Sequence, residues 1–249
     1  MLYGEQSLDR ACAEIAGLGL HAVDLWHVRG WCEHLAGGAA AVAATLRRHG
    51  LRLEAVSAFG TPLAELQAML PVVAELGARA LVTGSTPPGV SVADFAAQLG
   101  PLVSQAAAAG VRIAVENHGQ ATIDSIASLV ELVGLLPAEG LGIALAPIHL
   151  WNRGEATADA IRALGDRIAL CYLWDWGPSA QRNWKDPSEQ LPGSGQIDFA
   201  PIVAALRAVR YPRPLCVFAH GPEHWPAERT SRELGLALQR VRALLGETS

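Results

Sequence analysis

One run of this sequence gathers residues that could do chemistry: Val111-Arg-Ile-Ala-Val-Glu-Asn-His-Gly119. Val111, Ile113 and Val115 alternate as in a buried strand, and the run then ends in Glu116, Asn117 and His118. A packed core has no use for a carboxylate, an amide and an imidazole in succession. The mouth of a parallel β-barrel does, because its strand ends carry the chemistry. The plainer reading is an ordinary polar loop. Glu116 with a histidine would either shuttle protons or hold a metal.

The elements that must position these residues alternate along the whole chain. Strands are expected at 21–26, 51–57, 80–83, 111–115, 141–145, 168–173 and 214–218, with Leu2-Tyr3 as a stub of an eighth. Helices are expected at about 7–18, 31–49, 62–76, 91–109, 122–136, 155–164, 199–209 and 227–245, closed by glycines such as Gly50, Gly77 and Gly110. Pro71 and Gly100-Pro101 are expected to kink or split two of them. Strand–helix alternation means a parallel sheet flanked by helices, and no glycine fingerprint for a nucleotide follows any strand. The expected fold is α/β, a (β/α)8 TIM barrel spanning residues 1–249 as one domain, its first strand very short or missing. Either the barrel is incomplete there or a neighbouring chain covers the edge, which favours a homo-oligomer.

Composition narrows the function. The 249 residues are 51% hydrophobic and 17% charged, enough for one large core. A net charge of −5 without a basic block argues against nucleic acid as the main partner. The four cysteines (Cys12, Cys32, Cys171 and Cys216) form no CxxC pattern and read as reduced thiols of a cytoplasmic protein. No leader is evident at the N-terminus, and no apolar stretch reaches membrane-spanning length, so no membrane partner is expected.

The strand ends deliver a short inventory. Asp24, Trp26 and His27 follow the 21–26 strand, Ser57 and Phe59 the next, and Glu116, Asn117 and His118 the fifth, counting the stub as first. Ala146, His149 and Trp151 follow the sixth, Tyr172, Trp174 and Asp175 the seventh, and Phe218 and His220 the eighth. Five of the seven tryptophans (Trp151, Trp174, Trp176, Trp184 and Trp225) fall in the loops after strands six to eight. Their faces suit a sugar ring, or they plug an unused pocket. His118, His149, His220 and His224 are expected on the same rim.

These features resemble the sugar phosphate isomerase/epimerase superfamily, the xylose isomerase-like TIM barrels. The resemblance rests on Leu18-Gly-Leu-His-Ala-Val-Asp24, Val115-Glu-Asn-His-Gly119, Pro147-Ile-His149, Leu173-Trp-Asp175 and Leu191-Pro-Gly-Ser-Gly-Gln-Ile-Asp198, and covers nearly the whole chain. It implies a divalent metal, often manganese, held by Glu, Asp, His and Glu after strands five to eight, with the two glutamates exchanging a proton beside a carbonyl. Glu116 matches the first ligand, but Ala146, Tyr172 and Phe218, or Ala219 one residue on, stand at the other three positions. One carboxylate does not make a divalent-metal site.

The expectation is therefore a divergent isomerase/epimerase-like or lyase-like activity on a sugar-like small molecule, independent of metal. Glu116 is the expected base and His149 its acid or oxyanion partner, with Asn117, His118, Trp151, Tyr172, Trp174, Asp175, Lys185 and His220 around the substrate. No cofactor is expected, and manganese only if the family site persists in altered form. The alternative is a non-catalytic metabolite-binding or partner protein on the same barrel. A relative of the barrel-type apurinic endonucleases is disfavoured by the acidic charge and the missing ligands.

Overall fold

The computed structural model describes residues 2–246; Met1 and residues 247–249, which the single-domain expectation includes, lie outside the described residues. Strands β1 (Ala22–Val28), β2 (Cys32–Glu33), β3 (Arg52–Ser57), β4 (Ala80–Thr83), β5 (Arg112–Glu116), β6 (Leu141–Leu145), β7 (Ile168–Leu173) and β8 (Leu215–Val217) form one sheet in the order β2-β1-β3-β4-β5-β6-β7-β8. All neighbours are parallel except the two-residue β2, which turns back on the end of β1. The wall is a TIM-type barrel of seven parallel strands, with helices between them.

The expected stub at Leu2-Tyr3 forms no strand: Tyr3 instead buries its ring and hydrogen-bonds Ser231 through its hydroxyl at 2.9 Å. β8 and β1 are therefore unpaired along their facing edges, and a seam remains between them. The consequence shows in burial. β5, β6 and β7 are buried almost throughout, as expected for strands covered on both faces, whereas all three residues of β8 are half-buried.

Some local expectations change. The helix expected at 31–49 begins only at Gly38, because Cys32 and Glu33 pair with β1 and turns fill the interval. Pro71 and Pro101 lie inside unbroken helices, Leu63–Glu75 and Val92–Ala108. After β6, residues expected as loop form a short helix, Pro147–Asn152, with proline in its first turn. That helix carries His149 and Trp151.

The height of β6 against β5 sets the later geometry. Ile113 donates its N–H to the Gly140 carbonyl at 2.8 Å, and Glu116 pairs with Ala144. Gly140 lies so close to the helix Val92–Ala108 that a Cβ would clash with the Val103 carbonyl oxygen. Gly140→Ala must push the foot of β6 away from that helix. It is expected to lower unfolding free energy by about 3 kcal/mol in urea denaturation, the upper end of ordinary overpacking.

Candidate active site at the barrel mouth

Glu116 is the last residue of β5, and its carboxyl is buried. The nearest titratable group is His149, whose Nε2 lies 4.0 Å from Glu116 Oε1. That distance is too long for a hydrogen bond. His149 Nε2 is shielded from solvent and unpartnered, and no hydrogen bond engages the Glu116 side chain among the described residues. Burial, reinforced by the charge of Asp24, pushes the Glu116 carboxyl up to about 8. Burial, reinforced by His118, pushes His149 down to about 3. Both groups are thus mainly neutral at pH 7, and their contact is that of a carboxylic acid and an imidazole, not of an ion pair.

Around them is a nearly continuous set of rings. His149 packs on His118 with centroids 4.1 Å apart and on the edge of Trp174 at 5.5 Å. His118 touches Phe59 at 5.1 Å, and its Nδ1 donates to the Gly119 carbonyl. Trp174 contacts Phe218 at 4.8 Å and His220 at 5.1 Å. Trp26 stacks on Phe218 at 5.5 Å, and the exposed Trp31 and Trp184 both pack against His220. Tyr172 is fully buried, its hydroxyl 3.3 Å from Ser57 Oγ. Burial first, then Asp24 and Glu116, hold its phenol well above the ordinary range.

The expected site residues divide into two groups. Glu116, His118, His149, Tyr172, Trp174 and His220 come together at the mouth. The others do different work. Asn117 clamps two strand ends, accepting from the Ala146 N–H at 2.8 Å and donating to its carbonyl at 3.0 Å. Asp175 accepts from the N–H groups of Trp176, Gly193, Gly195 and Ile197 at 2.8–2.9 Å, which uses the four acceptor positions of a carboxylate. Its acceptor capacity is spent on holding the 191–197 loop. Lys185 is exposed and lies over the Trp184 ring at 5.1 Å. Trp151 packs against the core from its short helix, and Trp225 stacks under Arg229 outside the ring cluster. His224 pairs with Glu5 at the surface, so it leaves the expected rim.

Four residues of the mouth fall outside the expected site set. Asp24, on β1, accepts from the Ser57 hydroxyl at 2.7 Å. Trp26 and Phe218 close the ring cluster. Fully buried Gln190 ties the long loop together: its oxygen accepts from Trp174 Nε1 and the His220 N–H, and its amide donates to the Trp184 and Asp186 carbonyls. The sequence signal for Asp24 was its place at the end of the Leu18–Asp24 motif; Gln190 gave none.

The profile of the xylose isomerase-like TIM barrel family matches residues 12–240. The chain belongs to that family. Among curated relatives, it is similar to a probable endonuclease 4 of Mycobacterium tuberculosis, 37% identical over 100 residues, 39% of this chain and 38% of that protein. It is also similar to the inosose isomerase of Bacillus licheniformis, 24% identical over 127 residues, 49% of this chain and 46% of that protein. The chain thus spans less than half the length of either relative. By fold it is similar to the IOLI protein solved with a binding zinc atom, with TM-score 0.78 and 18% identity, covering 96% of this chain and 94% of that one.

The xylose isomerase-like barrel seen here does not offer a divalent ion its usual donors. At the positions where the resemblance puts the other three ligands stand the Ala146 methyl, the Tyr172 phenol and the Phe218 ring, none an anionic donor at neutral pH. Among the described residues, no group of three or more His, Cys, Asp or Glu side chains could hold a metal ion. The residues present do not fit the metal of the resemblance.

The buried pair links stability to pH with a definite sign. Glu116 protonates more readily folded (about 8) than at its ordinary value of 4.5, so its contribution is fully present below 4.5 and is lost as pH rises through 8. His149 is depressed from 6.5 to about 3, so its contribution is present above 6.5 and is lost as pH falls toward 3. Glu116→Gln keeps the shape and removes the ionisation. The variant is expected to gain stability relative to the parent at pH 9, and to gain little at pH 5, in parallel urea titrations. An equal effect at both pH values would show that Glu116 ionises normally.

Proposed function

We propose that this barrel catalyses a metal-independent proton transfer on a small sugar-like carbonyl compound, an isomerisation or epimerisation. The observation that carries the reading is the Glu116–His149 pair: two buried titratable groups 4.0 Å apart at the strand ends, with the facing His149 nitrogen unpartnered. Buried polar groups without partners call for a ligand or water. The likeness to an inosose isomerase supports the substrate class.

The roles follow from the environments. Glu116, once ionised, is a stronger base than an ordinary carboxylate and takes the proton from the carbon beside the carbonyl. The C–H electrons become the C=C bond of an enediolate. Negative charge collects on the former carbonyl oxygen, where the neutral His149 donates an N–H hydrogen bond. A carboxylate base beside an imidazole held neutral by a depressed pKa is a known division of labour. A proton then returns to the opposite face of the same carbon, which gives the epimer, or to the neighbouring carbon while that carbon's hydroxyl proton passes to the former carbonyl oxygen, which gives the isomer. Asn117 and Asp175 hold the strand end and the long loop that frame this geometry.

A second reading, metabolite binding without turnover, is favoured by the Trp26–Phe218 stack that covers part of the interior. Deuterium exchange separates the two. D-fructose, D-tagatose and an inosose are incubated with the protein in heavy water in the presence of a chelator and followed by NMR. Exchange at the carbon beside the carbonyl of at least one of them is expected. Its rate is expected to rise with pH and level off above about 8, where Glu116 ionises. Glu116→Gln is expected to lose at least a hundredfold, within the usual range for a positioned general base. No exchange, or exchange that survives this substitution, contradicts the proposal.

A further inference from the structure

Asp24 is a second carboxyl of the barrel interior, and the proton-transfer reading makes no use of it. Its Oδ2 is engaged by Ser57 at 2.7 Å. Its Oδ1 is shielded from solvent and has no hydrogen-bond partner. Among the described residues, no Lys or Arg side chain hydrogen-bonds it. Burial pushes the carboxyl up to about 6, opposed by the Ser57 hydrogen bond, so it is largely charged at neutral pH.

A cavity of about 140 Å³ reaches this carboxyl from the seam between β8 and β1. Leu2, Tyr3, Cys216 and Val217 supply apolar wall, and Trp26 and Phe218, stacked at 5.5 Å with 25° between planes, supply aromatic surface. The volume is close to that of an engineered apolar cavity that holds benzene. The space is thus mainly apolar, with the Asp24 carboxylate in its lining.

We propose that this cavity is the seat of a small ammonium group, paired with the Asp24 carboxylate and lying against Trp26 and Phe218. A hydroxyl would satisfy one lone pair and leave the negative charge desolvated; an ammonium satisfies both needs at once. Aromatic faces attract cations, and more strongly where water is excluded. An anionic ligand is disfavoured by the charge of Asp24. The ligand class is a small primary amine with an apolar or ring-shaped body. The inference rests on the seam and Asp24 and stands apart from the proton-transfer reading.

Cyclopentylamine and cyclopentanol, close in shape and near benzene in size, test it by calorimetry on the full chain at neutral pH. The amine is expected to bind about tenfold more tightly than the alcohol, a charge-assisted hydrogen bond against a neutral one. Asp24→Asn keeps an acceptor for the Ser57 hydroxyl and is expected to fold; it should bring the two affinities within about twofold. The amide signals of Cys216 and Val217 should move on amine binding in the parent protein. Equal binding of amine and alcohol, no amine binding, or a preference that survives Asp24→Asn would overturn the proposal. If the variant fails to fold, the comparison of the two probes on the parent decides.

Discussion

A carboxyl buried without a cationic side chain beside it is the constraint from which the rest of the mouth follows. Glu116 cannot ionise cheaply at the end of β5, so it holds its proton until the pH approaches 8. The neighbouring imidazole of His149 is forced the other way by the same loss of water. Rings then fill the space that charged donors would otherwise occupy, from Tyr172 to Trp26, Trp174 and Phe218. The result is a site whose two buried titratable groups, Glu116 and His149, are mainly neutral at pH 7 and whose walls are aromatic.

Holding those rings in place falls to a set of buried polar groups. Asp175 gathers four backbone N–H groups from the loop that follows β7, and a Cβ at Gly195 would meet its Oδ1, so glycine is needed there. Gln190 fastens Trp174 and His220 to one another through a single amide oxygen. Asn117 ties the end of β5 to the residue that opens the next helix, the helix that carries His149. Fully satisfied networks of this kind are rigid. They place the reactive pair by fixing what lies behind it.

Much of the architecture was legible from the alternation of strands and helices, because that pattern repeats along the whole chain and glycines mark its breaks. Glu116 was legible for a different reason: a carboxylate directly after the alternating Val111, Ile113 and Val115 has no place in a core. The helix at Pro147–Asn152 was not, since six residues are too few to show a period. Nor could spacing tell that Asp175 would be consumed by backbone N–H groups, or that Asp24 would be left with a free oxygen. Both facts depend on how loops distant in sequence close over the strand ends. The late start of the helix at Gly38 had the same origin, a pairing of Cys32 and Glu33 with β1 that periodicity does not report.

Membership of the xylose isomerase-like barrels fixes ancestry and fold, whereas the donors at the mouth point away from a bound divalent ion. The direct measurement is metal content: the protein purified without added metal or chelator, then again after soaking in manganese, with Glu116→Gln alongside. Far less than one metal ion per chain in every sample is the expected result, since Ala146, Tyr172 and Phe218 supply no anionic donor. Near-stoichiometric metal that disappears in Glu116→Gln would contradict the account, and the barrel would then have to be understood as a metal enzyme with a rearranged ligand set.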